Sequence, residues 1–333
     1  MLRVLHLLPH RGGGAETYID LLEAMPGVAH RRVALSASAG RADALRSLPG
    51  RVPSLIGEAR AADLVHAHGD AAAMLGLPLR PRVITTHGLH LVRRAPAVRP
   101  WLIASVAAAA VVLCTSEAER SELLGLLPAR LHDRLVTVPN GIEPVAPDPA
   151  ARAAARAALG LVDGDVAGLY LGELSDRKDP LVAVRAAGEA GPPFVLLVAG
   201  DGPLAPEVRA AEGRSVRALG FRDDPETLLA AADVFVLPSR REGLSFAVLE
   251  AMGHGLAMVV ADGAGNPEAV GDAGLVLPAG DERAFAGAHA RLAADPALRA
   301  SLGAAAKARV EERFTAGALR AGVRTAYDRA AGR

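Results

Sequence analysis

The chain has one cysteine, Cys114, in 333 residues. A lone cysteine excludes an internal disulfide and any paired-cysteine metal site, and it fits a reducing, cytoplasmic setting, with peripheral contact at the inner membrane face as a secondary expectation. Aromatic residues are scarce, at 3% against 51% apolar residues, so the core must be built mainly from Ala, Val and Leu. Basic and acidic residues number 37 each. A net charge of zero removes the attraction to phosphate backbones on which nucleic-acid binding depends, and no nucleic-acid partner is expected. Long apolar runs are missing too. The longest, 101–114, has fourteen residues, short of the roughly 20 that cross a bilayer, and is expected to form a core helix leading into a strand. The apolar start, 1–9, is too short for the apolar part of an export signal and reads as a first buried strand.

What is present is a rhythm. Short apolar runs alternate with longer alanine-rich stretches of helical character, the pattern of βαβ units around a parallel sheet. Strands are predicted at 3–8, 32–36, 64–66, 82–86, 111–115 and 135–138, and again at 167–171, 194–199, 216–219, 234–237, 257–260 and 274–277. Between the two series lie Pro144, Pro147 and Pro149, which cannot continue a helix or a central strand. Two domains are therefore expected, 1–149 and 150–333, with helices after about residue 280 and the last of them returning to the first domain.

Several segments carry residues suited to chemistry. The first strand runs into Gly12, Gly13, Gly14, Ala15 and Glu16, where glycines let backbone approach a ligand and a helix start presents amides to an anion. The segment lacks the spacing of a dinucleotide fingerprint or a P-loop, so neither hydride transfer nor ATP hydrolysis is favoured, and a plain tight turn explains it equally well. His66, His68 and His87 follow predicted strands, at the edge where open α/β sheets bind ligands. Such histidines stabilise developing charge or merely satisfy a local hydrogen bond. His66 and His68 suggest a metal pair only weakly, because no third ligand is evident.

Lysine occurs only as Lys178 and Lys307, against 35 arginines. Lys178, just past a strand, suits a diphosphate as a point charge, and Arg177 adds a planar fork of donors; a solvated loop charge is the alternative. The segment 231–255 carries Glu242 and Gly243 in a loop, then Leu244 and Ser245 at a helix start, and Glu250 inside the helix. Two carboxylates so spaced hold pairs of hydroxyls, or are a surface charge and an ion-pair partner, and spacing alone does not choose. Asn266 and Pro267 read as the N-cap and first residue of a further helix. Arg93, Arg94, Arg99, Leu91, Trp101 and Leu102 suggest a basic, apolar lip for a lipid-linked acceptor, or a buried helix with basic flanks.

Taken in order, these segments resemble the retaining glycosyltransferases of family 4 over almost the whole chain. The family's Glu-x7-Glu element is matched by Glu242 and Glu250, and its Pro-Asn-Gly-Ile element by Pro139, Asn140, Gly141 and Ile142. Gly13 to Glu16, Thr86 with His87, Ser116 with Glu117, 197–203 and 219–221 fall in family order as well. The resemblance implies the GT-B fold, two Rossmann-like doubly wound α/β domains facing a cleft. It implies a sugar moved from a nucleotide diphosphate donor, expected to carry UDP or GDP, to an acceptor hydroxyl with retention of configuration and no bound metal or other cofactor. By that similarity Glu242 holds donor-sugar hydroxyls, Glu250 the ribose, Lys178 the diphosphate, and Phe221 and Arg222 the base. His87 lines the reaction centre, and Gly13 and Gly14 approach the donor phosphate. Glu16, His68 and Asn140 are expected on the acceptor side.

One departure stands out. Where the family has Gly-Arg-Leu, this chain has Gly172, Glu173 and Leu174. A carboxylate repels a diphosphate, so either Glu173 points away while Arg177 supplies the charge, or the site is impaired and the protein only binds its nucleotide sugar. A glycoside hydrolase using the two glutamates is a further alternative, though such enzymes need carboxyls flanking a glycosidic bond.

Overall fold

The structure, a computed structural model, describes all residues except 11, 36–54, 81, 90, 91, 94, 147, 264 and 333. The chain divides into two compact units, Met1–Asn140 with Ala316–Arg333, and Gly141–Thr315. The division falls ahead of the proline-bearing segment, and Pro149 opens a helix rather than lying in a linker. Asp148 caps that helix, its carboxylate accepting from the Ala150 and Ala151 amides at 3.0 and 2.9 Å, and proline is well placed at a first helical position because its missing N–H has no partner there anyway.

The first unit is built on a parallel sheet of β1 (Leu2–Leu8), β2 (Val28–Ala34), β3 (Leu64–His68), β4 (Val83–Thr85), β5 (Val111–Cys114) and β6 (Leu135–Thr137), in the order β2-β1-β3-β4-β5-β6. β3, β4 and β5 are buried along their whole length, as expected for strands covered on both faces. β2 starts at Val28, earlier than the apolar run suggests, and Ser36 lies outside the described residues. It is an edge strand, so His30, Arg31 and Arg32 are tolerated in it and hide it from a hydropathy reading. Helix α1 (Gly14–Glu23) follows β1, α2 (Gly69–Leu75) follows β3, α3 (Arg99–Ala108) precedes β5 and α4 (Glu117–Leu126) follows it. The fourteen-residue apolar run is thus a helix and a strand, with Leu102 and Cys114 buried but Trp101 61% exposed. Arg93 is ion-paired with Glu122, and Leu91 and Arg94 lie outside the described residues.

The second unit repeats the plan with β7 (Val166–Leu171), β8 (Phe194–Ala199), β9 (Val216–Gly220), β10 (Val234–Leu237), β11 (Ala257–Ala261) and β12 (Gly274–Leu277), ordered β12-β11-β10-β7-β8-β9 and parallel throughout. In chain order its helices are α5 (Pro149–Ala158), α6 (Pro180–Ala190), α7 (Ala205–Ala210), α8 (Pro225–Ala231), α9 (Phe246–Gly253), α10 (Gly265–Val270), α11 (Glu282–Ala294) and α12 (Pro296–Arg313). Helix α13 (Ala316–Ala331) belongs to the first unit, where Tyr327 is fully buried. Among the described residues no helix is long and apolar enough to cross a membrane.

Candidate functional site

Each sheet has one place where neighbouring strands send the chain in opposite directions. In the second unit it lies between β7 and β10, and in the first between β1 and β3. Loops diverge there at the carboxyl ends of the strands and leave a crevice, the position at which open α/β sheets hold ligands. Of the residues singled out by sequence, Lys178, Glu242, Gly13 and His68 lie at these two points, whereas Phe221 follows β9 and Asn140 follows β6.

In the second unit, residues 172–179 leave β7 and 238–245 leave β10. Lys178 and Glu242 meet between them, Nζ to Oε1 2.5 Å, with side-chain exposures of only 13% and 7%. Arg177 Nη1 lies 3.6 Å from the same carboxylate oxygen. Burial by itself would raise the Glu242 carboxyl, but the charges of Lys178 and Arg177 outweigh it and hold the carboxyl below its ordinary value. The two loops are also tied through backbone, Arg240 N donating to the Arg177 carbonyl at 3.1 Å. Glu173 is half exposed and pairs with Arg177 at 3.2 Å. It therefore competes with Glu242 for the guanidinium.

Glycine decides how closely the loops approach. A Cβ at Gly265 would sit 1.6 Å from the Gly243 carbonyl oxygen, and one at Gly200 would sit 1.9 Å from that of Gly172. No side chain fits at either position, so the loop after β10 lies against the start of α10, and the loop after β7 against that after β8. Gly200 N also donates to Gly220 O at 2.8 Å, aligning the ends of β7, β8 and β9. Beyond Gly220, Phe221 stands 77% exposed, and Arg222 is held by Asp224 through two contacts of 2.6 and 2.5 Å.

Helix α9 starts after Ser245, whose side chain caps nothing, and Leu244 is buried. The first-turn amides of such a helix have no partner within the helix and point toward the crevice end. Glu250 is the fifth residue of this helix. Burial, then repulsion from Glu226, pushes its carboxyl up to about 7. Glu226 is fixed by His254, Nε2 to Oε2 2.9 Å. Asn266 does not cap α10. The helix begins at Gly265 and Asn266 turns inward, its Nδ2 donating to the Ala261 carbonyl at 3.2 Å, while its buried Oδ1 has no hydrogen-bond partner.

In the first unit, Gly12 and Gly13 adopt φ of 85° and 80°, a conformation that favours glycine whatever the surrounding space. Gly12 N donates to Glu16 Oε2 at 2.8 Å, and Gly14 opens α1. His68 ends β3 fully buried. His87 follows β4 in a left-handed conformation, φ 47°, and its Nε2 lies 3.0 Å from His68 Nδ1. Asn140 is buried at the last position of this unit.

The turn bearing His87 is held by a residue the motif reading passed over. Glu119 is buried and accepts from Thr86 Oγ1, from the Gly88 amide at 2.5 Å, and from the Thr115 amide and hydroxyl at 2.9 and 3.0 Å. Its own amide donates to Ser116 Oγ at 3.1 Å. The Ser116-x-x-Glu119 pattern of a capping box was the available signal, and here the glutamate reaches beyond the cap to the neighbouring turn.

Comparison with known proteins agrees with this architecture. The model of the family described as Glycosyltransferase Family 4 matches residues 12–145, and that described as Glycosyl transferases group 1 matches residues 167–295. The alpha-maltose-1-phosphate synthase of Mycolicibacterium smegmatis is 30% identical over 305 residues, covering 79% of this chain and 78% of its own. A D-inositol 3-phosphate glycosyltransferase of Acidothermus cellulolyticus is 34% identical over 283 residues, 72% of this chain but only 61% of that protein. Among solved structures, HepE of Anabaena in complex with UDP and glucose superposes with a TM-score of 0.84 at 19% identity, over 98% of this chain and 100% of that one. The sucrose-phosphate synthase of Thermosynechococcus elongatus gives 0.80 at 22% identity, over 98% of both chains. The chain therefore has the GT-B fold, and it belongs to glycosyltransferase family 4.

Proposed function

We propose that the protein transfers a glycosyl group from a nucleotide diphosphate sugar to an acceptor hydroxyl with retention of configuration and without a bound metal. The observation that carries this reading is the Lys178–Glu242 pair, backed by Arg177, at the switch point of the second unit. In this reading Lys178 and Arg177 neutralise the diphosphate, and Glu242 accepts from hydroxyls of the donor sugar. The amides at Gly243, Leu244 and Ser245 lie along the sugar and phosphate oxygens. Glu250 holds the ribose hydroxyls and Phe221, with the backbone at Arg222, flanks the base. The first unit supplies His87 to the chemistry, Gly13 and Gly14 to the donor phosphate, and Glu16, His68 and Asn140 to the acceptor.

The step balances without a protein nucleophile. The bond from the anomeric carbon to the diphosphate oxygen breaks, and the acceptor oxygen bonds to that carbon on the same face. The acceptor's proton passes to the departing phosphate oxygen, whose charge Lys178 and the helix amides stabilise. HepE is described in complexes with UDP and with UDP-glucose, which supports UDP as the first donor nucleotide to test. The experiment is incubation with UDP-glucose and GDP-mannose, an acceptor panel and a chelator, reading the product's anomeric configuration by NMR. Retained configuration with undiminished rate is expected, and an inverted product or loss of activity on chelation contradicts the reading.

The Glu173–Arg177 pair at 3.2 Å favours a second reading, a binding protein of the same fold whose donor site is too weakly charged for catalysis. Donor affinity without transfer or donor hydrolysis across the panel would select it.

A further inference from the structure

Four histidines cross the first sheet in a hydrogen-bonded line. His30 on β2, His6 on β1, His68 at the end of β3 and His87 after β4 follow the order of the strands themselves. His30 Nδ1 lies 2.9 Å from His6 Nε2, His6 Nδ1 lies 2.8 Å from His68 Nε2, and His68 Nδ1 lies 3.0 Å from His87 Nε2. Every contact joins an Nδ1 to an Nε2. A neutral imidazole carries one N–H and one lone pair, and two N–H groups or two lone pairs facing each other at such distances repel. The line therefore has only two neutral arrangements, in which all four rings are Nδ1–H or all four are Nε2–H.

Burial, then the neighbouring charges, holds His6 and His68 far below the ordinary histidine value, and burial lowers His30 as well. These three are neutral at pH 7. His66 stands beside the line rather than in it, its Nδ1 bonded to Tyr327 Oη at 2.9 Å and its Nε2 to Thr85 Oγ1 at 2.8 Å. A metal held by His6, His66 and His68, whose nitrogens lie within 4.8 Å of one another, would need three lone pairs converging on one point. Here they are spent on separate partners.

The His30 end of the line favours one of the two arrangements. His30 Nε2 is buried and has no hydrogen-bond partner. With all rings Nδ1–H it is an idle lone pair, and with all rings Nε2–H it is an orphaned N–H, the rarer and costlier defect. We propose that His30, His6 and His68 are positioning residues that fix His87 as the Nδ1–H tautomer, making it a hydrogen-bond donor at Nδ1 rather than a base. The link to catalysis rests on the transferase reading above; the tautomer rule does not.

The test is nitrogen-15 NMR of the histidine rings in the full-length protein at pH 7, with metal analysis of the same sample. All four rings Nδ1–H, with no bound metal, is expected. Mixed tautomers along the line, or stoichiometric metal, overturns the proposal. His30→Asp places an acceptor-only group opposite His6 Nε2, so His6, His68 and His87 should change together to Nε2–H. A change confined to His6 overturns the coupling. Under the transferase reading, kcat of His30→Asp falls about tenfold with the donor KM unchanged, the size of one lost transition-state hydrogen bond. A wild-type protein without transfer activity but with four matching tautomers would defeat that reading and leave the relay standing.

Discussion

The two units are both doubly wound parallel sheets, with different strand orders, and they fill their switch points in opposite ways. The first joins imidazoles nitrogen to nitrogen, with His6 and His68 fully buried, whereas the second concentrates formal charge, with Lys178 and Arg177 set against Glu242 and Glu173. A neutral network tolerates burial as long as every group has a partner. A charged one is stable only while its charges are paired, and it leaves the pairing open to exchange with a ligand. The difference separates the work: the second unit is suited to hold an anion, and the first to orient a proton.

The sharpest way to break this contrast is Lys178→Ala. It leaves the buried Glu242 carboxylate without its nearest partner, which should cost about 3 kcal/mol of stability. Adding Glu242→Gln should restore most of that loss, as read by denaturant unfolding. In the transferase reading, turnover of Lys178→Ala falls about a hundredfold or more at saturating donor, because the departing charge loses its counter-ion. A smaller effect is expected from Glu119→Gln, which sets an amide N–H against donors now satisfied by a carboxylate and should cost about 1–3 kcal/mol. Proteolysis near 86–88 should rise with it, because those residues lose their anchor.

Glu250 gives the contrast a pH dependence. Its folded value of about 7 exceeds the ordinary 4.5, so the folded chain keeps a proton that the unfolded chain has released. Stability is full below 4.5, falls as pH rises through that window, and is lowest above 7. The loss is about 3 kcal/mol at most. Glu250→Gln should remove this slope and stabilise the protein at pH 8, and an unchanged slope in thermal unfolding would contradict the assignment. The smallest expected effect is Glu173→Arg, which releases Arg177 from an exposed pair and should tighten nucleotide binding about two- to fivefold.

Much of the fold was legible because parallel strands buried on both faces are continuous apolar runs, as at 194–199 and 257–261. β2 was misjudged at its start because an edge strand accepts His30, Arg31 and Arg32. Asn266 was read as a cap from its residue type, but the close approach of Gly265 to Gly243 starts the helix earlier. The charged site was partly visible, since a nearly lysine-free chain draws attention to Lys178. Its pairing with Glu242 was not, because sequence does not say that β7 and β10 are neighbours. The histidine line was hidden for the same reason. His6 and His30 lie far from His68 and His87 in sequence, and only the order β2-β1-β3-β4 sets them side by side.

The most direct test of the central claim, that the second unit binds a nucleotide diphosphate through Lys178, is calorimetric titration of UDP, GDP, ADP and TDP into the protein and its Lys178→Ala variant. The account predicts that one nucleotide binds preferentially and that its binding is lost in the variant. No binding to any of the four, or equal binding to both proteins, would contradict it.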